Sequence, residues 1–373
     1  MTSYKFTNKT DLETAVNLWV NDEEAEVTYG RISTWDTSDI TDMSELFSNE
    51  RDDSLDTTGF NDDIGNWNTS SVTNMWRMFY GAAEFSRDLC TKYDADLGQL
   101  SWDVSKVTSM NEMFSADSNQ THNNFNGNIN NWNINSLDGD GLHRMFYYCK
   151  NFDQNINTKD VNIDGIVPYK AWDIGNSDVN TLVFTFRAAE AFNQNLNEWD
   201  TSKITGMAAV FYGAIEFNNG DTVFMNWDMS RATSIDSIFR HARKFNKDIS
   251  NWKINNVTDM DAAFFHAEKF NQDISSWDTS KVTSMRQTFY NAKAFNQNIN
   301  TKYVDDTHRW DVSNVTNMSQ MFRFAYDFNN GGLSGPNSQD INTLNSWNVG
   351  KVTDMSFLFG NCEKFNQDIS NWD

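Results

Sequence analysis

The sequence predicts an α/β repeat solenoid: each repeat supplies one short parallel strand and one short helix, and a helical cap closes the N-terminal end. Three observations carry that expectation. Tryptophan recurs at 35, 67, 102, 132, 172, 199, 227, 252, 277, 310, 347 and 372, and the spacing falls to a minimum of 25 residues at 227, 252 and 277. In nine of the eleven complete repeats a Met or Ile stands eight residues after the Trp and a Phe twelve after it; the repeats after Trp132 and Trp172 are two residues longer, yet Leu142/Phe146 and Leu182/Phe186 keep the four-residue offset. The stretch 270–292 shows the pattern at its shortest, with Phe270, Ile274, Trp277, Val282, Met285, Phe289 and Ala292 as apolar slots. Recurrence at a fixed period marks a stacked-repeat architecture.

Residues 1–34 read as the cap. Thr10 with Glu13 spells a capping box, and Leu12, Ala15, Val16, Trp19 and Val20 share one helical face that would cover the first repeat. The acidic run 22–26 then returns the chain to Trp35. Residues 35–373 read as an array of eleven complete repeats plus a truncated twelfth. At 102–105 and 310–313, Trp-Asp-Val-Ser alternates apolar and polar residues, the period of a half-buried strand. Downstream, Met285, Phe289, Ala292 and Phe295 fall at i, i+4, i+7 and i+10, which predicts a helix of about two turns. Asp42/Glu45, Ser109/Glu112, Ser284/Gln287 and Asn317/Gln320 have the spacing of capping boxes at its start. Neither element can bury its face alone, but stacked copies can.

The insertions fall mostly between a repeat's second Phe and the next Trp, at 86–101, 154–171, 299–309 and 329–346, with shorter ones at 48–59, 115–124 and 218–226. Pro168 and Pro336 lie in the two longest. Insertions at one register point emerge along one edge, either beside a binding face or as tolerated loop length.

FNQDISSWDTSKVTSM and TFYNAKAFNQ, with their dozen copies over about residues 30–373, resemble the repeat of BspA-like surface proteins, a divergent relative of leucine-rich repeats. The resemblance implies a leucine-rich-repeat-like fold and non-catalytic binding or adhesion, often at a cell surface. It supplies no binding residues to carry over.

Composition narrows the function. The net charge of −23 opposes binding to nucleic acid or an anionic membrane, which need a basic face. Residues 1–9 show no secretory pattern, and no run of 18 apolar residues is present, so the sequence predicts neither signal peptide nor membrane span and leaves the location open between cytoplasm, cell surface and virion. Cys149 and Cys362 occupy the small core slot, whereas Cys90 lies in an insertion; three cysteines make no disulfide framework. His241 and His266 share one register in adjacent repeats, which predicts side-by-side surface histidines on neighbouring helices rather than a metal site, since further ligands are not evident. Asn-Val-Thr at 256–258 and 314–316 matches a glycosylation acceptor but is a product of the repeat.

The residue after each repeat-anchoring Trp is acidic or Asn, with Lys253 the exception. Asp103, Asp173, Asp200, Asp228, Asp278 and Asp311 are therefore the candidate binding residues, as a row for Ca²⁺ or a cationic partner. The competing reading has each carboxylate accept local backbone amides in the following turn, and its recurrence in nearly every repeat favours that structural role. Ser-His-Asp sets, phosphate loops and metal motifs are missing, so the sequence predicts no enzyme, cofactor or metal. The leading functional expectation is a non-catalytic interaction or adhesion module that presents its sheet face and edge loops to a protein or glycan. The alternative is a structural subunit of a virion or surface layer. The chain stops at Trp372-Asp373, inside a repeat, which predicts that Phe365, Ile369 and Trp372 are left partly bare: either the native chain runs on past this point, or another molecule covers the end, with self-association of copies through it as the expected contact.

Overall fold

A computed structural model describes residues 3–21, 24–51, 55–96, 98–117, 122–163, 167–220, 222–304, 307–332 and 344–372. Pro336, Asp373 and most of the 329–346 insertion lie outside the described residues. The chain divides into two compact units, Met1–Asp200 and Thr201–Asp373.

The N-terminal unit begins with α1 (Lys9–Asn21) and α2 (Glu24–Tyr29). Helix α1 buries Leu12, Ala15 and Val16, while Trp19 meets Trp35 edge-on at 5.9 Å and donates its indole N–H to Asp62. Its start is capped by Asn8, whose side chain accepts the Asp11 amide at 2.9 Å, and not by the Thr10/Glu13 box. Helix α2 takes up residues 24–26 of the acidic run read as a return loop, a run whose first two residues lie outside the described residues, and is followed by Gly30, where a φ of +75° supplies the left-handed C-terminal turn.

The expected α/β solenoid, with a parallel strand and a helix in every repeat, is overturned. Among the described residues the chain is mostly irregular, and α1 and α2 are its only α-helices. Its named strands form three two-stranded antiparallel sheets: β1 (Lys92–Asp94) with β2 (Gln99–Ser101), β3 (Lys159–Val161) with β4 (Tyr169–Ala171), and β5 (Lys302–Val304) with β6 (Thr307–Arg309). All three are hairpins inside insertions. Trp-Asp-Val-Ser, read as a strand, is a pair of turns: the Ser105 amide donates to the Asp103 carboxylate at 3.0 Å and Val107 to the Val104 carbonyl at 3.0 Å. Parallel pairing between repeats shrinks to single bridges, most of them seven residues after a Trp, such as Ser234 with Asp259, Asp259 with Ser284 and Ser284 with Asn317. These are the positions read as helix caps.

Hydrogen bonding explains why no helix forms after the Met. The amides of Met285, Gln287, Phe289 and Asn291 donate to Asn317, Ser319, Met321 and Arg323 of the next repeat, at 2.8–3.0 Å. Those of Thr288, Tyr290 and Ala292 close turns onto residues three back. Alternate amides thus leave the segment, which a helix cannot allow. The geometry needs left-handed residues, and all eleven complete repeats place one at the middle of the Met–Phe step, two residues before the Phe: Glu45, Arg77, Glu112, Arg144, Phe184, Ala209, Ser237, Ala262, Gln287, Gln320 and Phe357, with φ of +51° to +60°. Glu45, Glu112, Gln287 and Gln320, read as capping-box partners, are all in this set.

The apolar slots form the core of each unit. Indoles stack from repeat to repeat, as in Trp102–Trp132 at 6.3 Å and Trp252–Trp277 at 6.3 Å. The first phenylalanines do likewise, Phe264–Phe289 at 5.5 Å and Phe289–Phe322 at 5.5 Å. Each such pair adds about 0.5–1.5 kcal/mol beyond its buried area. The Ile274 carbonyl accepts both the Trp277 amide at 3.1 Å and the Trp310 indole N–H at 2.6 Å, so the same ring locks its repeat to the preceding one. Phe-Asn-Gln contributes an asparagine ladder: the Asn271 side chain accepts the Asn296 amide at 2.9 Å and the Gln297 amide group at 2.9 Å, and Asn296 in turn accepts the Asn329 amide.

Candidate functional site

Two surfaces hold chemistry. The first is the edge bearing the hairpins. Each hairpin opens on Thr-Lys, and in each the threonine hydroxyl donates to the carbonyl of the Trp that follows: Thr91 to Trp102 at 2.7 Å, Thr158 to Trp172 at 2.8 Å and Thr301 to Trp310 at 2.7 Å. Those three Trp residues have φ of +47°, +51° and +48°, since the chain must turn sharply from hairpin to repeat. The insertions at 86–101, 154–171 and 299–309 are therefore one device used three times.

Clefts open beside the hairpins, next to the residues that follow Trp. In the N-terminal unit a cleft of about 760 Å³ lies between Trp35, Asp36 and Asn66 on one side and Tyr93, Asp94 and Gln99 of β1–β2 on the other. A second, of about 310 Å³, is lined by Thr91, Leu100, Asp103, Asn133 and Tyr169. Burial pushes the Tyr169 phenol up to about 12, and it donates to the Asn131 carbonyl at 2.5 Å. In the C-terminal unit a cleft of about 390 Å³ is lined by Trp252, Lys253, Asp278 and Arg309.

The six carboxylates named from sequence do not converge. Asp103, Asp278 and Asp311 are half-buried and accept the amides of Ser105, Ser280 and Ser313 at 3.0, 3.1 and 2.9 Å. Asp228 is exposed and accepts the Ser230 amide at 2.8 Å; hydrogen bonds from Ser230 hold its carboxyl below the usual range. Asp173 precedes the 3₁₀ turn Ile174–Asn176 without a side-chain cap, and Asp200 is exposed beside Gly175. Among the described residues no three His, Cys, Asp or Glu side chains could hold a metal ion. The named end residues are Phe365, stacked on Phe359 at 3.8 Å, Trp372, stacked on Trp347 at 6.0 Å, and Ile369, 37% exposed.

The second surface was not read from the sequence. The polar side of the Met–Phe segment carries arginines sandwiched between aromatic rings. In the N-terminal unit Arg77 lies over Trp76 and Tyr80 at 5.0 and 4.6 Å, and Arg144 and Arg187 both lie over Tyr147 and Phe184 at 5.2–5.5 Å. In the C-terminal unit the pattern becomes a continuous ribbon. Arg240 sits 4.1 Å from the Phe265 ring and 5.2 Å from Tyr212. Phe265 stacks on Tyr290 at 4.5 Å, Tyr290 meets Phe324 edge-on at 5.5 Å, and Arg323 covers Phe324 and Phe357 at 5.0 and 4.8 Å. These side chains are half-buried except Phe357, which is 65% exposed. The Arg240 Nε is buried with no hydrogen-bond partner among the described residues. Part of the signal was present in the column thirteen residues after Trp, which reads Tyr80, Tyr212, Arg240, Phe265, Tyr290 and Arg323, although Ser48, Ser115 and Gly360 stand in the same column.

His241 and His266 belong to this ribbon, with ring centroids 4.8 Å apart, and they stand on left-handed turn residues with φ of +60° and +57° rather than on helices. They are half-buried, not exposed. Burial first, and then the neighbouring His266, push the His241 pKa down to about 4. The cysteines are all free; Cys149 is buried, and burial raises Cys362 to about 12. The Asn256 and Asn314 side-chain amides donate to the Ser230 and Ser280 carbonyls at 2.8 and 2.7 Å, so both acceptor asparagines are engaged in joining repeats. No helix among the described residues is long and apolar enough to cross a membrane.

Comparison with known proteins returns one family. The profile described as "Mycoplasma protein of unknown function, DUF285" matches residues 23–96, 89–166, 167–224, 219–331 and 300–373. No curated protein and no solved structure matches the chain. Five matches that together span nearly all of the Trp-anchored repeats place the chain in a family: it belongs to the DUF285 proteins.

Proposed function

We propose that this chain is a non-catalytic interaction module whose arginine–aromatic ribbon is the contact surface for a protein partner. The observation that carries this reading is the run Tyr212, Arg240, Phe265, Tyr290, Arg323 and Phe357 in the C-terminal unit. Tyr, Trp and Arg are the side chains that dominate binding energy in protein interfaces. Rings and guanidiniums already stacked on one another have surrendered their rotamer freedom before binding, which lowers the entropic cost of association. The ribbon also gathers cations on a chain of net charge −23, so the partner presents carboxylates to it locally. The resemblance to BspA-like surface proteins supports an adhesive role for the same surface.

The test is site-specific photocrosslinking. A benzophenone amino acid at Phe357 is expected to trap a discrete heterologous protein in extracts of the native host, and Arg240→Glu should suppress the adduct. The same probe at Val223, 79% exposed but outside the ribbon, serves as control. Equal labelling from both positions, or none from Phe357, refutes the ribbon as the contact surface. An adduct made only of copies of this chain would favour the structural-subunit alternative.

A further inference from the structure

We infer that the cleft between the β1–β2 hairpin and the first two repeats is a binding site for a neutral saccharide. Its volume of about 760 Å³ lies within the range of pockets that enclose a small organic ligand, about 300–1,000 Å³. The lining selects the chemistry. Tyr93 offers a ring 36% exposed at the cleft wall, an apolar face for the C–H side of a pyranose, and Trp35 forms the floor at 3% exposure. Around them stand Asp36, Asn66 and Gln99, planar groups whose paired oxygens and nitrogens match vicinal hydroxyls, each of which both donates and accepts.

Other ligand classes fit poorly. A phosphate needs converging cations, whereas the lining sets a single Lys92 against Asp36 and Asp94. A lipid or a hydrophobic peptide needs an apolar wall, and most of this lining is hydroxyl, amide or carboxylate. The site is also pre-formed. The Asn68 side-chain amide donates to Gln99 at 3.1 Å and the Ser38 amide donates to Asp36 at 3.0 Å, which fix two recognition groups from behind.

This inference stands independently of the ribbon, which it does not use. The experiment is an array of neutral, sialylated and sulfated oligosaccharides probed with the labelled chain, followed by isothermal titration of the strongest neutral hit. Binding at a Kd on the order of millimolar or tighter is expected. Tyr93→Ala should weaken it by at least about tenfold, with Tyr93→Phe retaining it and the melting temperature unchanged in both. Asp36→Asn keeps the turn acceptor and serves as the second variant, expected to weaken binding without unfolding. The inference is overturned if no neutral saccharide binds, if only charged glycans bind, or if Tyr93→Ala and Asp36→Asn both bind like the parent. Arg240→Glu should leave saccharide binding intact.

Discussion

Left-handed backbone at non-glycine residues is the local cost of this architecture. An L-residue in that conformation costs about 1–2 kcal/mol, and the repeat accepts it eleven times at one register point. The cost is offset by the alternate amides that donate to the next repeat. Gln287, with φ of +58° and a half-exposed side chain, isolates the effect. Gln287→Gly is expected to be neutral or to stabilise by up to about 1 kcal/mol, because glycine sheds the steric penalty and returns only part of it as chain entropy. Gln287→Val should destabilise by about 1–3 kcal/mol, since a β-branched residue tolerates positive φ worst. Chemical denaturation of the two variants measures the difference. In a helix both changes would lose stability and glycine would lose more.

At the scale of the element, the ribbon couples stability to acidity. His241 is held neutral in the folded state, with a pKa of about 4 against an ordinary value near 6.5, by burial and by His266, Arg240 and Arg243. As pH falls below about 6.5, the unfolded chain takes up the proton first. The stabilisation is therefore complete above about 6.5 and is lost progressively as pH drops to about 4. The expected loss is on the order of 1 kcal/mol after allowance for partial exposure. Melting temperatures between about pH 7 and pH 5, above the range where ordinary carboxylates titrate, should decline in the parent and decline less in His241→Gln. An identical slope in both would place the acid sensitivity elsewhere. Protonation would also add charge beside Arg240, so the contact surface itself should respond over the same window.

For the whole molecule, stacking makes stability a sum of neighbour terms within each compact unit. Trp277 shows what holds one repeat to the next. Its ring is stacked on Trp252, its indole N–H donates to the Ile249 carbonyl at 3.1 Å, and its own carbonyl accepts the Trp310 amide at 2.9 Å. Trp277→Ala removes the ring from a fully buried site and should cost about 3–5 kcal/mol. Hydrogen exchange should then show protection lost first in the repeats of Trp252 and Trp310, with later repeats of the C-terminal unit less affected. Uniform loss throughout that unit would mean that its repeats unfold together rather than by neighbour coupling.

The sequence by itself determined the period and the burial. The Trp, Met and Phe columns mark the core because large apolar side chains recurring at one register point can bury themselves against their own copies, and Trp67, Trp102, Trp132, Trp172, Phe79 and Phe85 are all fully buried. The register of the insertions was equally legible, since three of them carry a Thr-Lys pair and run up to a Trp. The backbone between these points was decided only by tertiary structure. A spacing of four, three and three residues fits a helix and a run of turns alike, and the choice depends on whether alternate amides find acceptors in an adjacent copy, as Met285 and Gln287 do. Glycine, asparagine and histidine fourteen residues after Trp, as at Gly213, Asn291 and His241, were the one local hint of left-handed turns. The surfaces follow the same division. Tyr212, Arg240, Phe265, Tyr290 and Arg323 of the ribbon stand in one column, but Phe324 and Phe357 do not; the cleft likewise joins Asp36 to Tyr93 and Gln99, more than fifty residues away, and only folding brings those groups to one wall.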